Sequence, residues 1–231
     1  MKIFSISDLH LSTQVNKPMD IFGGNWENYF EKIKQSWEEK VGTNDIVLIS
    51  GDISWGMRLE EAIPDLMEIS KLKGIKILVK GNHDYWWQSI SAIRKILPQN
   101  MYCIQNDAIK IGDYIICGSR GWTVPEEDFK TDQDKKIFDR EAIRLEIALK
   151  TAKDLQTNNE KIIVMIHYPP FNSLTQNGYT DLFEKYNVSA CVYGHIHGEK
   201  CRSQKVIQKN GILYYLTSCD QVNNELVEIT F

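Results

Sequence analysis

Ile46-Val47-Leu48-Ile49-Ser50-Gly51-Asp52 opens with four apolar residues, three of them β-branched, and stops at a turn glycine and a carboxylate. An apolar run this short and unbroken, without alternation, is the pattern of a strand covered on both faces. Outward from it short apolar runs recur at residues 2–7, 75–79, 114–117, 162–166 and 190–193, several of them likewise continuous. Between these runs, residues 26–40, 59–71, 86–96 and 133–155 carry apolar side chains at helical spacing with charges elsewhere, which predicts helices. Strands alternating with helices place the chain in a mixed α/β class whose sheets are built with crossover helices. After His197 the pattern changes to runs at 205–208, 212–217 and 226–230, split by turn residues at Asn210-Gly211 and Asn223-Asn224. That tail is predicted to be antiparallel. Residues 118–132 are the expected long loop. With no repeat, low-complexity stretch or linker, one domain over residues 1–231 is expected.

Composition narrows the function classes. The 231 residues are 42% hydrophobic, enough for a sizeable core. Lys and Arg number 27 against 31 Asp and Glu, a formal charge of -4, so there is no global attraction to nucleic acid or an anionic membrane; only a local basic groove stays open. Asp8 interrupts the first apolar stretch before it reaches signal-peptide length, and no run approaches the roughly 18 residues of a membrane span. A soluble, cytoplasmic protein is expected. The five cysteines, at 103, 117, 191, 201 and 219, are odd in number, widely spaced and free of any C-x-x-C pair. That argues against a disulfide framework or a structural zinc site and for reduced, mostly buried thiols.

The polar residues are placed with more order than the composition requires. Nearly every predicted strand ends, at its C-terminal side, in a residue able to bind a metal: Asp8-Leu9-His10, Gly51-Asp52, Gly81-Asn82-His83-Asp84, His167, and Gly194-His195-Ile196-His197. Ligands of open α/β sheets bind at the carboxyl ends of strands, where loops converge. All five histidines of the chain (10, 83, 167, 195 and 197) lie in these segments. In extended chain, residues two apart project to one face, so Asp8 with His10, and His195 with His197, are each predicted to present two ligands to one locus. Imidazole nitrogens, carboxylate oxygens and an amide oxygen, with no thiolate, suit a hydrolytic Mn, Fe, Zn, Co or Ni centre. Asp8, His10, Asp52, Asn82, His167, His195 and His197 exceed what one tetrahedral ion needs. With Asp52 bridging, they offer four contacts to each of two ions.

These five segments, in this order, resemble the calcineurin-like metallophosphoesterases, whose pattern reads D-x-H, G-D, G-N-H-[DE], H and G-H-x-H. The match spans residues 8 to 197 with no ligand position substituted. The resemblance implies a four-layer αββα sandwich. It implies one metal held by Asp8, His10, Asp52 and His197 and the other by Asp52, Asn82, His167 and His195. His83 would face the substrate, oriented by Asp84.

The implied reaction is hydrolysis of phosphomonoesters or phosphodiesters by in-line attack of a hydroxide shared by two ions about 3.5 to 4 Å apart. Two ions less Asp8, Asp52 and the hydroxide leave roughly +1, which attracts a phosphate ester. His83 suits leaving-group protonation. Arg120 and Arg58 are candidate contacts to a substrate phosphate. Trp55, Trp86, Trp87 and Trp122, near the motif loops, read first as packing and second as stacking surfaces. Asp52 is followed by Ile53-Ser54-Trp55 and the third motif ends in Asp84 rather than Glu, which departs from the protein serine/threonine phosphatase branch. His83 stands where the lipid A pathway pyrophosphatase branch has arginine. A phosphorylated small molecule or nucleotide is therefore the expected substrate, with a metal-dependent nuclease or a non-catalytic protein-binding scaffold as alternatives.

Overall fold

In β2 (Ile46–Ile49), neighbouring residues serve two different cores. Ile46 and Leu48 pack with Ile77, Ile116, Ile163 and Val192 between two sheets, while Val47 and Ile49 pack outward with Ile33, Trp37, Leu66 and Ile69. Side chains of a strand alternate between faces, so a strand that is apolar throughout belongs between two layers. The computed structural model describes residues 1–125, 128–172, 178–198, 201 and 203–231.

The first sheet joins β1 (Ile3–Ile6), β2, β3 (Ile75–Leu78) and β4 (Met101–Cys103) in parallel, with β11 (Val227–Glu228) antiparallel beside β1. The second contains β5 (Asp107–Ile111), β6 (Tyr114–Ser119), β7 (Lys161–Ile166), β8 (Ala190–Tyr193), β9 (Val206–Lys209) and β10 (Ile212–Leu216). Its order is β5-β6-β7-β8-β10-β9, parallel except for the two edge strands. Helices α1 (Tyr29–Lys40), α2 (Leu59–Ser70) and α3 (Ile90–Ile96) contribute Ile33, Leu66 and Ile93 to the outer core of the first sheet. Beyond the second sheet, α4 (Asp132–Leu155) supplies Leu145, Ala148, Leu149 and Ala152, and α5 (Thr180–Lys185) supplies Phe183. The layers run helix, sheet, sheet, helix: the αββα sandwich. Each fully buried Val, Leu or Ile stabilises it by about 1.5–3 kcal/mol. Lys76, buried in β3, is satisfied because its Nζ donates to the carbonyls of Ser70, Leu72 and Gly74 at and just past the C-terminus of α2, where the helix dipole favours a cation.

Several boundaries differ from the sequence reading. The helix predicted from residue 86 begins at Ile90, because the Ser89 hydroxyl accepts from Ala92 N–H and caps it there. β4, β5 and α5 were not anticipated: β4 has three residues, β5 is a half-exposed edge strand and α5 spans six residues. The tail is antiparallel only in part. β9 and β10 form a hairpin across Asn210-Gly211, but β10 pairs in parallel with β8, and β11 crosses to the other sheet. Residues 126 and 127 of the loop expected over 118–132 lie outside the described residues.

Candidate metal centre

The strands stop short of the motifs. β1 ends at Ile6 and β8 at Tyr193, and the chain then turns sharply. Ten described non-glycine residues have positive φ; six are asparagines, and the other four are Asp8 (60°), His10 (46°), Asp52 (52°) and His195 (72°). The projection of Asp8 with His10, and of His195 with His197, to one locus therefore comes from left-handed turns, not from extended chain as the spacing had implied. Left-handed backbone costs an ordinary side chain of order 1–3 kcal/mol and gathers at functional sites. Backbone bonds lock the turns side by side: Asp8 N–H donates to Gly51 O at 2.9 Å and His10 N–H to Asp52 O at 2.9 Å.

The turns bring all seven predicted ligands together. His197 Nε2 lies 2.9 Å from Asp8 Oδ1. Asn82 Oδ1 lies 2.7 Å from His167 Nε2 and 2.9 Å from His195 Nδ1. Asp52 Oδ2 is 3.5 Å from His167 Nε2 and 3.7 Å from His10 Nε2, so this carboxylate stands between the two predicted ligand sets. Donor atoms of Asp8, His10 and His197, and again of Asp8, Asp52 and His167, lie within 4.8 Å of one another. Both groups fit a divalent ion: oxygen and imidazole nitrogen donors converge on a small volume. His10 Nδ1 is buried with no hydrogen-bond partner among the described residues.

The motif glycines are required by close approach. A Cβ on Gly81 would lie 2.1 Å from Asp52 Oδ1, and one on Gly194 would lie 2.3 Å from Asp8 Oδ2. No real Cβ contact is so short.

A second ring of groups aims these side chains. His167 Nδ1–H donates to Ser50 O at 2.9 Å, which turns Nε2 toward Asp52 and Asn82. His197 Nδ1–H donates to Asp220 Oδ1 at 2.8 Å, while Asp220 Oδ2 accepts from Gly198 N–H at 2.9 Å. Such partners fix the tautomer and orientation of a histidine ligand. Asp220 was missed in the sequence, although it too follows a strand end, four residues beyond β10. Asp84, expected to orient His83, makes its hydrogen bonds elsewhere. Its buried carboxylate accepts from the backbone N–H groups of Asp52, Ile53, Ser54 and Gly81 and from Trp86 Nε1–H, and no described hydrogen bond joins it to the His83 ring.

Charge follows the same geometry. Burial works against ionisation of Asp8, but His197 and the neighbouring histidines outweigh it and hold its pKa well below the usual carboxylate range. Burial opposes protonation of His197 too, yet Asp8 and Asp220 raise it to about 10. His167 rises to about 9 against its burial because Asp52 faces it. Burial lowers His10 and His195 to about 4. Asp84 is pushed up to about 6 by burial and by Asp52.

Beside the centre lies a cavity of about 540 Å³ whose walls include His10, His83, His197, Met19, Trp26 and Trp55. The Trp55 ring stacks on His10 with centroids 4.6 Å apart and lies 4.8 Å from His83. Trp86 and Trp87 are buried packing residues. Neither predicted arginine lines this cavity among the described residues. Arg58 is exposed at the N-cap of α2, where its N–H donates to Glu61 Oε2. Arg120 lines a different cavity.

The chain belongs to the calcineurin-like phosphoesterase family, whose model matches residues 1–199. Membership implies divalent metal ions, for which candidate ligand residues are present. A probable cyclic nucleotide phosphodiesterase of Coxiella burnetii is 26% identical over 216 residues, covering 86% of this chain and 77% of the relative. Among solved structures, the phosphopantetheinyl hydrolase of Mycobacterium tuberculosis has a TM-score of 0.55 at 14% identity, covering 99% of this chain and 95% of its own. A protein of unknown function from Aquifex aeolicus has a TM-score of 0.52 at 14% identity, covering 98% and 95%. These two likenesses show the shared fold. Among the described residues, no helix is long and apolar enough to cross a membrane.

Proposed function

We propose that this chain is a dinuclear metal-dependent phosphoesterase that hydrolyses a small organic phosphomonoester or phosphodiester, a nucleotide being the favoured class. The observation that carries the reading is Asp52 standing within 3.7 Å of one histidine from each predicted ligand set, beside a cavity walled by tryptophans. Asp8, His10, Asp52 and His197 would hold one ion, and Asp52, Asn82, His167 and His195 the other. Bound divalent ions supply Lewis acidity toward the phosphoryl oxygens and lower the pKa of water.

The protein's own side chains do the rest. His83, with its backbone N–H donating to Asp52 Oδ1 at 2.8 Å, is anchored to the metal-binding turn and faces the cavity, where its imidazole can give a proton to the departing oxygen. Trp55 and Trp26 offer flat apolar surface to the organic group, and about 540 Å³ is within the range of small-molecule pockets. The likeness to a probable cyclic nucleotide phosphodiesterase supports a nucleobase as that group. The five free cysteines, four of them buried, suit a reducing cytoplasm.

The test is metal analysis and turnover of manganese-reconstituted protein on bis-p-nitrophenyl phosphate and p-nitrophenyl phosphate. Two ions per chain and turnover of either ester are expected. One ion, or none, with no turnover refutes the proposal.

A further inference from the structure

Away from the tryptophan-walled cavity, where β3 and β6 end beside α4, lies a second and smaller cavity of about 270 Å³. Lys80, Arg120, Arg140 and Arg144 line it, together with Glu141 and Gln105. Four cationic side chains against one carboxylate leave a formal excess of three positive charges, in a chain whose total is -4. Glu141 is buried, and its Oε1 accepts from Arg144 at 2.7 Å and Arg140 at 3.4 Å. Lys80 and Arg120 have no ion pair among the described residues. Arg120 instead sets its guanidinium over the Trp122 ring, 5.1 Å from the centroid, and its side-chain donors make no described hydrogen bond. Gln105 Oε1 is taken by Trp87 Nε1–H at 2.8 Å, while its Nε2 makes no described hydrogen bond.

Like charges gathered in a concave, partly buried place repel one another, and a counter-anion relieves that repulsion most where field lines are focused. Guanidinium groups recognise phosphate oxygens through paired, charge-assisted hydrogen bonds. We infer that this cavity is a binding site for a phosphate group, distinct from the metal centre but sharing its wall. Chain continuity on one side and backbone hydrogen bonds on the other make the shared wall. Lys80 lies two residues before Asn82, and Arg120 O accepts from His167 N–H at 3.0 Å and from Tyr168 N–H at 3.3 Å. An anion drawn in here would therefore lie against the same two segments that carry Asn82 and His167.

The test is calorimetric titration of the full chain with inorganic phosphate and, separately, adenosine 5′-monophosphate, both manganese-loaded and after chelation. Phosphate held by the metal centre is lost on chelation; phosphate held by this cavity is not. One saturable site is expected to persist after chelation, weakened about tenfold or more in Arg140→Gln and in Arg120→Gln. Glu141→Gln, which removes the only carboxylate among the described lining residues, is expected to tighten it. That opposite sign separates anion recognition from mere loss of packing, and circular dichroism shows whether each variant folds. Tighter binding of the nucleotide assigns the site to a phosphate of a larger ester, and tighter binding of inorganic phosphate assigns it to the free anion. Absence of saturation after chelation, or equal affinity in wild type and both arginine variants, overturns the inference. Ester turnover, measured on the same preparations, reports separately on the phosphoesterase proposal.

Discussion

Gly81→Ala isolates the close approach on which the metal centre rests. Gly81 has no positive φ, so alanine meets no conformational penalty there and the only obstacle is space. The new Cβ would start 2.1 Å from Asp52 Oδ1 and 2.2 Å from Asp52 N. To reach 3.0 Å, the shortest distance real Cβ atoms tolerate, the two loops must part by about 0.9 Å. That motion stretches the 2.8 Å bond from His83 N–H to Asp52 Oδ1 beyond hydrogen-bond range and separates Asn82 from Asp52. Misplacing reacting groups by about 1 Å costs on the order of 100-fold in rate, and overpacking costs about 1–3 kcal/mol of stability. For a chain of this length each kcal/mol lowers the melting temperature by about 2–4 °C. The assay is turnover of bis-p-nitrophenyl phosphate with metal content and thermal melting measured in parallel. Gly211→Ala is the control: its φ is +81° and, among the described residues other than its chain neighbours, no atom lies within 4 Å of the added Cβ, so it carries strain without a clash. It should lose about 1 kcal/mol and keep its turnover. Wild-type turnover and metal content in Gly81→Ala would refute the reasoning.

Asp220→Ala frees the His197 ring and should weaken metal binding about 10- to 100-fold; metal titration monitored by activity tests this, and unchanged affinity excludes a positioning role. In chelated protein His197 and His167, raised to about 10 and about 9, carry protons at pH 7 that binding must expel, so metal affinity should climb from pH 6 to 9. Titration in buffers of different ionisation enthalpy should show about two protons released at pH 7. By the same sign, the stability these two histidines give the chelated protein is complete below pH 6.5 and is lost as pH rises through 9 to 10, which thermal melts across that range should show. His83→Ala should slow alkyl phosphoesters by about 10²–10⁴-fold and p-nitrophenyl esters much less; equal losses count against the general-acid role. Trp55→Ala should raise KM for aromatic esters more than for methyl esters, and a uniform change in both would remove stacking as its task.

The strands flanking the site were legible because each is a short, mostly apolar run buried on both faces, as in Ile46-Val47-Leu48-Ile49. The edge elements were not. β5, Asp107-Ala108-Ile109-Lys110-Ile111, is half-exposed along its whole length, so its polar residues hide the pattern. The helix start at residue 86 failed for another reason: Trp86 and Trp87 are buried, but in a turn held by Asp84. The cluster of candidate metal-binding residues was legible because chemistry limits which side chains can serve and topology limits where they stand. Which cavity Arg58 and Arg120 would face was not legible, because a cation on the loop after a strand can turn either way, and sequence does not carry that direction.

The same distinction explains Asp84. Read along the chain, it belongs to His83, its neighbour. In space it belongs to Asp52, thirty-two residues away. The left-handed turn at Asp52 leaves three successive amides, of Asp52, Ile53 and Ser54, pointing to one side, and they would be buried without partners. Asp84 accepts all three, and Gly81 N–H and Trp86 Nε1–H as well. Unmet, each donor would cost about 1–3 kcal/mol, enough to unmake a strained turn. Five donors still do not cancel the cost of burying a charge beside Asp52, and so the Asp84 pKa stands at about 6. The proton that would relieve that cost must also remove an acceptor from the clamp. Cations bound at Asp52 would oppose that protonation through their field, because they favour the ionised form of a nearby carboxylate. The turn that presents Asp52 and the charge that Asp52 is proposed to share between two ions thus support one another through a residue that touches neither ion.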